Sequence, residues 1–588
     1  MYKKGVFMIN ITINGNPVHA REDATVLEAS REDKYASKQF DINIISLDYL
    51  KEVQKQDTSG LCIAEISGMG IVDASTTIVK EGMEIVTNSP EIIERQKKVL
   101  KNILDHHDLD CRNCLRTGNC ELQEIQHDLR LTKSKTEAKL KTEPVTEDSV
   151  IVRDQNKCVR CGRCIAVCEH IQGIGAIKMD GERFEGKVIP SNGSTLKESG
   201  CVNCGQCISV CPVGALRERD DTDKIFELIA DPEKYVVVQV APSVRASIGE
   251  IFRYPIGSET KGKLAAAVRA LGFDRVFDTV LGADMTIMEE ATEFVDRMKS
   301  GSKLPMFTSC CPGWISYCEN NHKELLENIS SCKSPQQMFG AMVKTYLAEK
   351  EGIAKDKIIV VSVMPCTAKK YELSRPDEDA AGVPDVDFSI TNRELGRMIE
   401  RADISFLALE DEEFDAPLGI GSGAGTIFGA TGGVMEAALR TANDWLKGAP
   451  QKDIEYKEVR GVDGVKEATY KVGEKDIKVA AVSGLANAES LLKKIESGEA
   501  AYDFVEVMAC PGGCVNGGGQ PQQLAEKRTV IDIRANRAKS LYHLDEKSTL
   551  RKSYENSAIK EIYSSYLDEP GSEKAHKYLH TTYQTKEV

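Results

Sequence analysis

Three short cysteine motifs in the C-terminal half constrain the fold of this chain more than any other feature. Their sequences are TSCCPGW (residues 308–314), MPCTAKKYE (364–372) and EVMACPGGCVNGGGQP (506–521). The ligands of a structural zinc site usually come from one or two local turns. Because these motifs lie far apart in sequence, only a tertiary fold that brings three segments together can make one site of them. The pattern therefore predicts an active site built around a metal centre.

Cysteine usage in the N-terminal half also favours metal ligation. Of the 19 cysteines in the 588 residues, 11 lie in three local groups there. The first residues lack the apolar core and cleavage site of a signal peptide, and no apolar run is long enough to cross a bilayer. A cytoplasmic location is therefore expected, and disulfides are rare in that compartment. Metal ligation is the better interpretation of the three groups.

Two of these groups repeat the spacing C-x2-C-x2-C-x3-C of bacterial ferredoxins. The first run comprises Cys158, Cys161, Cys164 and Cys168, and the second comprises Cys201, Cys204, Cys207 and Cys211. In this pattern the fourth cysteine of each run ligates the cluster of the other run. We therefore expect one [4Fe–4S] cluster on the first three cysteines plus Cys211, and a second cluster on Cys201, Cys204, Cys207 and Cys168.

The third group combines one histidine with three cysteines, as His107-x3-Cys111-x2-Cys114-x5-Cys120. Three thiolates and an imidazole form a common structural zinc set. The same ligands also suit a [4Fe–4S] cluster, so the spacing alone leaves both metals open. His106 is a competing imidazole ligand.

Hydrophobic patterning predicts the class of fold on either side of these groups. Residues 9–90 begin with a hairpin signal at Asn14-Gly15, followed by a helical stretch, ATVLEASRE, and further strands. This order fits a β-grasp, ferredoxin-like domain. Residues 226–535 alternate apolar runs such as YVVVQVAP, KIIVVSVMP and DFVEVMACP with helical stretches. That alternation predicts α/β lobes with mainly parallel strands, whose carboxyl ends are the usual place for chemistry.

From about residue 95 to the C-terminus, the chain resembles the [FeFe]-hydrogenases, because all three signature motifs of that family are present. The resemblance implies an H-cluster, a [4Fe–4S] subcluster joined to a two-iron subcluster that carries CO, cyanide and azadithiolate. It implies that Cys311, Cys366, Cys510 and Cys514 hold the [4Fe–4S] subcluster, with Cys514 also bridging to the two irons. With this resemblance, the histidine group is also interpreted as a [4Fe–4S] site, which gives three accessory [4Fe–4S] clusters.

The same resemblance implies a route for protons. Cys310 is expected to pass protons to the bridge amine, because a free thiol both gives and takes a proton near neutral pH. Glu290, Ser330, Glu293 and Arg297 are expected to supply that thiol. The residues themselves give some support, since positions 290, 293 and 297 share one face of a helix.

Further residues are expected to line the cofactor pocket. Lys369 is expected to hydrogen-bond a cyanide ligand and to anchor the anionic cofactor. The other expected lining residues are Pro242, Ser243, Gln336, Met364, Phe428 and Met508. Cys318 and Cys332 match no role in the family and are expected to pack in the core.

The first domain departs from the family pattern. In related hydrogenases it carries a [2Fe–2S] cluster on four cysteines, whereas this chain has only Cys62 there. The other ligand positions align with Ser59, Ser75 and a position near Ser46. Because a serine hydroxyl is far harder to deprotonate than a thiol, we predict a folded domain and no [2Fe–2S] cluster.

These inferences give a multidomain α+β and α/β chain with a two-lobed catalytic domain. The expected divisions are a β-grasp domain (1–90), a His/Cys3 [4Fe–4S] domain (91–145), a two-cluster ferredoxin-like domain (146–225), the H-cluster domain (226–535) and a helical C-terminal segment (536–588).

The expected function is reversible reduction of two protons to H2, with electrons exchanged with ferredoxin or a similar carrier. Maturation proteins are expected to supply the two-iron subcluster. The net charge of −15 argues against nucleic acid as a partner. The alternatives are a sensory hydrogenase-like protein, an iron–sulfur assembly protein of the related Nar family, and the catalytic subunit of an electron-bifurcating complex.

Overall fold

The computed structural model describes residues 7–38, 42–131, 143–182, 185–452 and 454–584. Its N-terminal unit is a five-stranded sheet with strand order β2-β1-β5-β3-β4. The elements are β1 (Met8–Ile13), β2 (Asn16–Arg21), α1 (Val26–Ser37), β3 (Ile63–Ile66), β4 (Gly70–Asp73) and β5 (Glu84–Val86). The predicted hairpin is present, and Asn14 and Gly15 both have the positive φ (52° and 79°) that a type I′ turn requires. Helix α1 begins after Thr25, which forms a capping box with Glu28.

The cysteine-rich part that follows is made of short elements joined by loops. They are α2 (Pro90–Asp105), α3 (Glu121–Asp128), β6 (Ile151–Arg153), α4 (Arg163–Ala166), β7 (Ile177–Asp180), β8 (Lys187–Pro190), α5 (Gln206–Val210) and β9 (Leu216–Glu218). The sequence repeat is also a backbone repeat. Arg160 and Asn203 precede the second cysteine of each run and both have φ of 58°, and the glycines after that cysteine, Gly162 and Gly205, have φ of 76° and 73°. Each run therefore makes the same tight loop before its helix begins.

Two four-stranded sheets organise the C-terminal half. Their strands are β10 (Tyr235–Val240), β11 (Arg275–Asp278), β12 (Met306–Phe307), β13 (Ile358–Met364), β14 (Phe388–Thr391), β15 (Val465–Val472), β16 (Lys475–Ser483) and β17 (Phe504–Met508). The first sheet has order β11-β10-β13-β14 and is entirely parallel. The second has order β12-β17-β16-β15 and is parallel except for β15, which pairs antiparallel with β16. The apolar runs did not predict β15, because this edge strand alternates buried and exposed residues.

Helices cover these sheets and fill the space between them. They are α6 (Thr222–Ile229), α7 (Lys261–Ala270), α8 (Val280–Ser300), α9 (Pro312–Asn321), α10 (Pro335–Met342), α11 (Ala348–Glu351), α12 (Ala368–Glu372), α13 (Asn392–Arg401), α14 (Gly423–Thr426), α15 (Gly433–Lys447), α16 (Leu485–Glu496), α17 (Ala525–Val530), α18 (Ile533–Lys547), α19 (Ser557–Ile562) and α20 (Glu573–Leu579). Helix α8 is buried along most of its 21 residues and packs against α10, α14 and α15. It therefore brings its side chains into the middle of the catalytic half.

The C-terminal helices belong to the same core as α8. Ile559 and Ile562 of α19 pack in one apolar cluster with Met285 of α8 and Phe339 of α10. The helical C-terminal segment expected from the sequence is thus an integral layer of the catalytic half. Within the described residues, we find no helix with the length and apolar character needed to cross a membrane.

Candidate active site and iron–sulfur sites

The three separated motifs meet in one cavity. Cys311, Cys366, Cys510 and Cys514 all line it. Cys311 is the N-cap residue of α9, whereas Cys366 and Cys510 lie two residues after the carboxyl ends of β13 and β17. These two strands belong to different sheets, so the site forms where the carboxyl end of a strand from each sheet reaches the same cavity.

The chemistry of these four thiols fits an iron cluster. Burial raises the pKa of Cys366 to about 12, and the neighbouring thiol of Cys311 adds to the shift. Burial likewise raises the pKa of Cys510, with Cys366 and Cys311 contributing. Thiols this close together and this buried stay protonated unless a cation binds their thiolate forms, and soft thiolates suit iron.

Glycines let the backbone pack closely around the four thiols. A Cβ at Gly513, where φ is 93°, would lie 2.6 Å from the Thr431 backbone nitrogen. A Cβ at Gly517 would overlap the carbonyl oxygen of Pro365, next to Cys366. The backbone can therefore run close to the thiols only because these positions are glycine. The residues present fit an H-cluster.

All seven residues expected to line the pocket do line this cavity: Pro242, Ser243, Gln336, Met364, Lys369, Phe428 and Met508. Lys369 Nζ donates to Glu372 at 3.0 Å and to the Cys310 carbonyl oxygen at 3.2 Å. Burial acts to lower the pKa of Lys369, but the Glu372 carboxylate, together with the nearby Cys366 and Cys310 thiols, keeps that pKa above its usual value. A fixed positive charge therefore faces the cavity.

Four lining residues were not singled out by sequence reasoning: Ala241, Thr279, Ala283 and Pro335. Ala241 follows directly after β10, so its position at a strand end was an available signal. The other lining residues, Pro312, Pro365 and Ala509, lie within the three cysteine motifs, and Gly429 and Gly513 lie in glycine-rich stretches that suggest close backbone approach to a cofactor.

Three of the expected proton-relay residues, Glu290, Glu293 and Arg297, lie on α8, whereas Cys310 and Ser330 lie on loops that reach toward this helix. Cys310 lines the cavity and is 9% exposed. Ser330 Oγ donates to Glu293 Oε2 at 2.8 Å, and Arg297 Nη2 donates to Glu293 Oε1 at 2.6 Å. Ser330, Glu293 and Arg297 thus form one continuous hydrogen-bonded group.

Glu290 lies deeper than this group. Its side chain is fully buried, and neither carboxyl oxygen has a hydrogen-bond partner within the described part of the chain. Burial, with a further contribution from Glu293, raises the pKa of Glu290 to about 8. A carboxyl group with a pKa near neutral pH is suited to give and take protons.

Replacing Glu290 with glutamine is expected to reduce the activity implied by the family resemblance, H2 evolution, about a hundredfold, because the amide cannot exchange a proton. Iron content should stay unchanged, since no cluster ligand is touched. The measurement is H2 evolution alongside iron per chain. Asp296→Asn is the matched control, because Asp296 lies on the exposed face of the same helix. Wild-type turnover in the Glu290 variant would remove this residue from the route.

The structure also brings the cysteines of the two ferredoxin runs close together. Cys158, Cys161, Cys164 and Cys211 line a second cavity. Burial raises the pKa of Cys207, and the nearby thiols of Cys201 and Cys168 contribute next. The cysteines of both expected sets are therefore close neighbours across the two runs.

The ferredoxin loop touches the catalytic loop directly. Thr367 Oγ1 donates to the Asn203 carbonyl oxygen at 2.6 Å, and Gln206 Nε2 donates to the Asn516 carbonyl oxygen at 2.8 Å. A Cβ at Gly205 would lie 3.1 Å from the Cα of Gly518. Burial raises the pKa of Cys204, and the Cys510 thiol is the next contributor. Two cluster sites are therefore adjacent across this contact.

His107, rather than His106, has the geometry of a ligand. Its Nδ1 is buried and has no hydrogen-bond partner among the described residues, and burial lowers its pKa to about 4. It is therefore neutral at pH 7, as a metal ligand must be. In contrast, Nδ1 of His106 contacts the Asn102 carbonyl oxygen at 2.9 Å. A Cβ at Gly214, near Cys211, would lie 2.8 Å from Cys114 Sγ, so this group lies against the ferredoxin runs.

The N-terminal domain offers a different set of groups. Cys62 is buried, and burial raises the pKa of its thiol. Ser59 and Ser75 donate their hydroxyl hydrogens to Asp57 and Asp73. Ser46 accepts a hydrogen bond from Arg31. One thiol among hydroxyls that are already hydrogen-bonded does not fit the donor set of a [2Fe–2S] cluster.

Family models match nearly every part of the chain. The model of the iron only hydrogenase large subunit, C-terminal domain, matches residues 234–518, and that of the iron hydrogenase small subunit matches residues 531–586. A 4Fe-4S dicluster domain matches 157–215, and the iron-sulfur binding region of NADH-ubiquinone oxidoreductase-G matches 96–135. A 2Fe-2S iron-sulfur cluster binding domain matches 7–90. This last match relates the first domain to [2Fe–2S]-binding proteins, whereas the sequence predicts that the domain binds no [2Fe–2S] cluster.

Two individual proteins are similar to this chain over nearly its whole length, and a solved structure is similar to part of it. Iron hydrogenase 1 of Clostridium pasteurianum is 44% identical over 98% of this chain and 100% of its own length. The NADP-reducing hydrogenase subunit HndD of Solidesulfovibrio fructosivorans is 42% identical over 98% and 99%. Among solved structures, an apo [FeFe]-hydrogenase HydA1 from Chlamydomonas reinhardtii is 43% identical, with a TM-score of 0.56, and covers 63% of this chain and 100% of its own.

Proposed function

The chain belongs to the iron-only, or [FeFe]-, hydrogenase family and is a hydrogenase, and from this premise we propose how its residues perform the reaction. When bound, the H-cluster supplies the redox chemistry that interconverts two protons, two electrons and H2. The observation that carries the proposal is the convergence of four thiols and the extra thiol of Cys310 in one buried cavity. Cys311, Cys366, Cys510 and Cys514 would hold the cluster.

The other lining residues bind and shield the cofactor. The ammonium group of Lys369 attracts an anionic group into the cavity, and Glu372 fixes its direction. Met364, Phe428 and Met508 are almost fully buried and keep water away from the same space. Excluding water strengthens the electrostatic interactions inside the cavity.

Protons would reach the cavity through side chains of α8 and its neighbours. Arg297 and Ser330 hold the carboxylate of Glu293 from both sides. Glu290 stands between this group and Cys310, and its pKa near 8 allows it to transfer protons at neutral pH. Cys310 would deliver the proton to the cavity from its thiol.

Electrons would travel through the three accessory [4Fe–4S] sites. The contact between Gly214 and Cys114 brings the His107 site close to the ferredoxin runs, and the neighbouring thiols of Cys204 and Cys510 join those runs to the catalytic site. Ferredoxin or a similar carrier would exchange electrons with the outer sites, and maturation proteins would supply the two-iron subcluster. A cytoplasmic location is part of this proposal.

The domain organisation proposed from the sequence accompanies this function. The divisions are 1–90, 91–145, 146–225, 226–535 and 536–588, with a β-grasp fold for the first. The mixed sheet in which β1 and β5 are parallel supports that fold. The hydrogen-bonded serines at positions 46, 59 and 75 support a first domain that lacks its [2Fe–2S] cluster.

Fully loaded protein should contain about 18 iron atoms per chain, from three cubanes and a six-iron H-cluster. The measurement is iron content together with electron paramagnetic resonance of the reduced protein. A value near 20 with a [2Fe–2S] spectrum would contradict the proposal for the first domain.

A second candidate is the catalytic subunit of a larger complex. It is favoured by the similarity to a protein described as a subunit of an NADP-reducing hydrogenase. H2 evolution from reduced methyl viologen by the isolated, fully loaded chain tests both candidates. Rapid turnover supports a self-sufficient hydrogenase, whereas turnover that appears only with partner subunits supports the complex. A loaded chain that is inactive with or without partners would favour a sensory protein.

A further inference from the structure

The chain after α20 pairs with the segment that carries Ser330. The Lys333 N–H donates to the Leu579 carbonyl oxygen at 2.8 Å, and the Thr581 N–H donates to the Ser331 carbonyl oxygen at 2.9 Å. Cys332 and His580 form an antiparallel β-bridge between these two bonds. We call residues 579–583 the C-terminal strap and residues 329–333 the serine segment.

His580 ties the strap to two other elements through its two ring nitrogens. Nδ1 lies 2.8 Å from Ser331 Oγ in the serine segment, and Nε2 lies 3.0 Å from Glu289 Oε2 of α8. The side chain of Glu289 is fully buried and also accepts hydrogen bonds from Tyr563 Oη and the Gly571 N–H. Since a buried carboxylate needs several donors, His580 is held firmly in place.

The serine segment delivers two donors to Glu293. Ser330 Oγ and the Ser331 N–H both donate to Glu293 Oε2, at 2.8 and 3.2 Å. Glu289 and Glu293 are four residues apart and share one face of α8. The same helix thus anchors the strap through Glu289 and receives the serine segment at Glu293.

Tyr583 adds a second attachment further along the strap. Its hydroxyl donates to the Ser330 carbonyl oxygen at 2.6 Å. The strap therefore fixes the backbone that follows the Ser330 Cα, whereas the Ser330 N–H donates to the Phe307 carbonyl oxygen of β12 at 2.8 Å. Hydrogen bonds weaken steeply when donor and acceptor separate by a fraction of an ångström beyond their usual range.

We propose that the C-terminal strap positions the proton relay, with His580 holding the serine segment so that Ser330 stays hydrogen-bonded to Glu293. The inference rests on the proposed function of Ser330 and Glu293 as relay residues. His580 acts through Ser331 and does not itself carry protons to the cavity. A shift of about 1 Å in such an alignment can cost up to a hundredfold in rate.

Variants of His580 separate its two contacts. The side-chain amide of asparagine is as many bonds from Cα as the histidine Nδ1, so His580→Asn keeps a hydrogen-bond partner for Ser331. The amide of glutamine is as many bonds from Cα as the histidine Nε2, so His580→Gln keeps a hydrogen-bond partner for Glu289. His580→Ala removes both contacts. Ser331→Ala breaks the same link from the other side. His543→Gln is the matched control, because that histidine is exposed on α18, away from the strap.

The first measurement is amide hydrogen exchange of residues 330–333 in the full-length protein, before and after the two-iron subcluster is supplied. The second is H2 evolution with its solvent isotope effect. His580→Ala, His580→Gln and Ser331→Ala should lose exchange protection, lose about tenfold in turnover and show a larger isotope effect. His580→Asn and the control should stay close to wild type.

Two results would overturn the inference. One is wild-type turnover in variants whose serine segment has lost exchange protection, and the other is rescue by glutamine but not by asparagine. Glu293→Gln distinguishes a failure of the proposed positioning role of His580 from a failure of the proposed proton-relay role of Glu293. If Glu293→Gln retains wild-type turnover, the relay assignment is wrong, whatever the exchange data show.

Discussion

Replacement of Cys310 by alanine is expected to lower H2 evolution by about a thousandfold, the range expected when a positioned acid–base group is lost. Cys310 lines the catalytic cavity, but four other thiols are available as ligands there. The variant should therefore bind as much iron as the wild type. H2 evolution from reduced methyl viologen, measured on protein supplied with the two-iron subcluster, gives the effect.

A second buried cysteine provides the control for this variant. Cys318 is fully buried and packs in an apolar cluster with Phe307 and Trp314. Cys318→Ala removes the same atoms from the core nearby but leaves the cavity lining intact, so its turnover should stay near that of the wild type. Equal turnover in both variants would exclude a proton-transfer role for Cys310.

Replacement of Cys514 by alanine is expected to remove both H2 turnover and the H-cluster. Cys514 lies in the cavity with Cys311 and Cys366. Burial raises the pKa of its thiol most, and the thiols of Cys366 and Cys311 raise it further. Without Cys514, only Cys311, Cys366 and Cys510 would remain in the cavity to hold the cluster. Iron per chain should fall from about 18 to about 12, which is the content of the three accessory cubanes.

Spectroscopy separates this loss from general misfolding. The accessory clusters of the Cys514 variant should keep their electron paramagnetic resonance signals, because their cysteines lie on other loops. Cys62→Ala is the control, since it removes a buried thiol from the first domain and should leave iron content unchanged. A Cys514 variant with full iron content would show that three cysteines suffice to retain the cluster.

The sequence predicted those parts of the site that depend on local spacing. The ferredoxin runs identify their ligands because each loop places three cysteines within a few residues, and the hairpin at Asn14-Gly15 follows from backbone conformations that few residues adopt. The cavity lining needed the family resemblance, because Met364, Phe428 and Met508 are ordinary core residues by type.

Other features depend on contacts that no local pattern encodes. The bond between Glu289 and His580 joins residues 291 positions apart, and neither belongs to a motif. Strand β15 escaped notice because it is an edge strand with exposed side chains. His107 is favoured as the ligand because its buried Nδ1 has no hydrogen-bond partner among the described residues, a feature of the fold that the spacing could not reveal.

The close approach of Gly205 and Gly518 has a consequence for electron tunnelling. Electron transfer through protein slows exponentially as the distance between donor and acceptor increases. Gly205 of the ferredoxin loop and Gly518 of the catalytic loop have no side chains, so their backbones are in direct contact. A methyl group at Gly518 would overlap the Cys204 carbonyl oxygen, so it would have to push the ferredoxin loop outward. In the proposed electron route, a side chain at either position would therefore lengthen the path between the Cys204 loop and the catalytic loop and slow electron transfer.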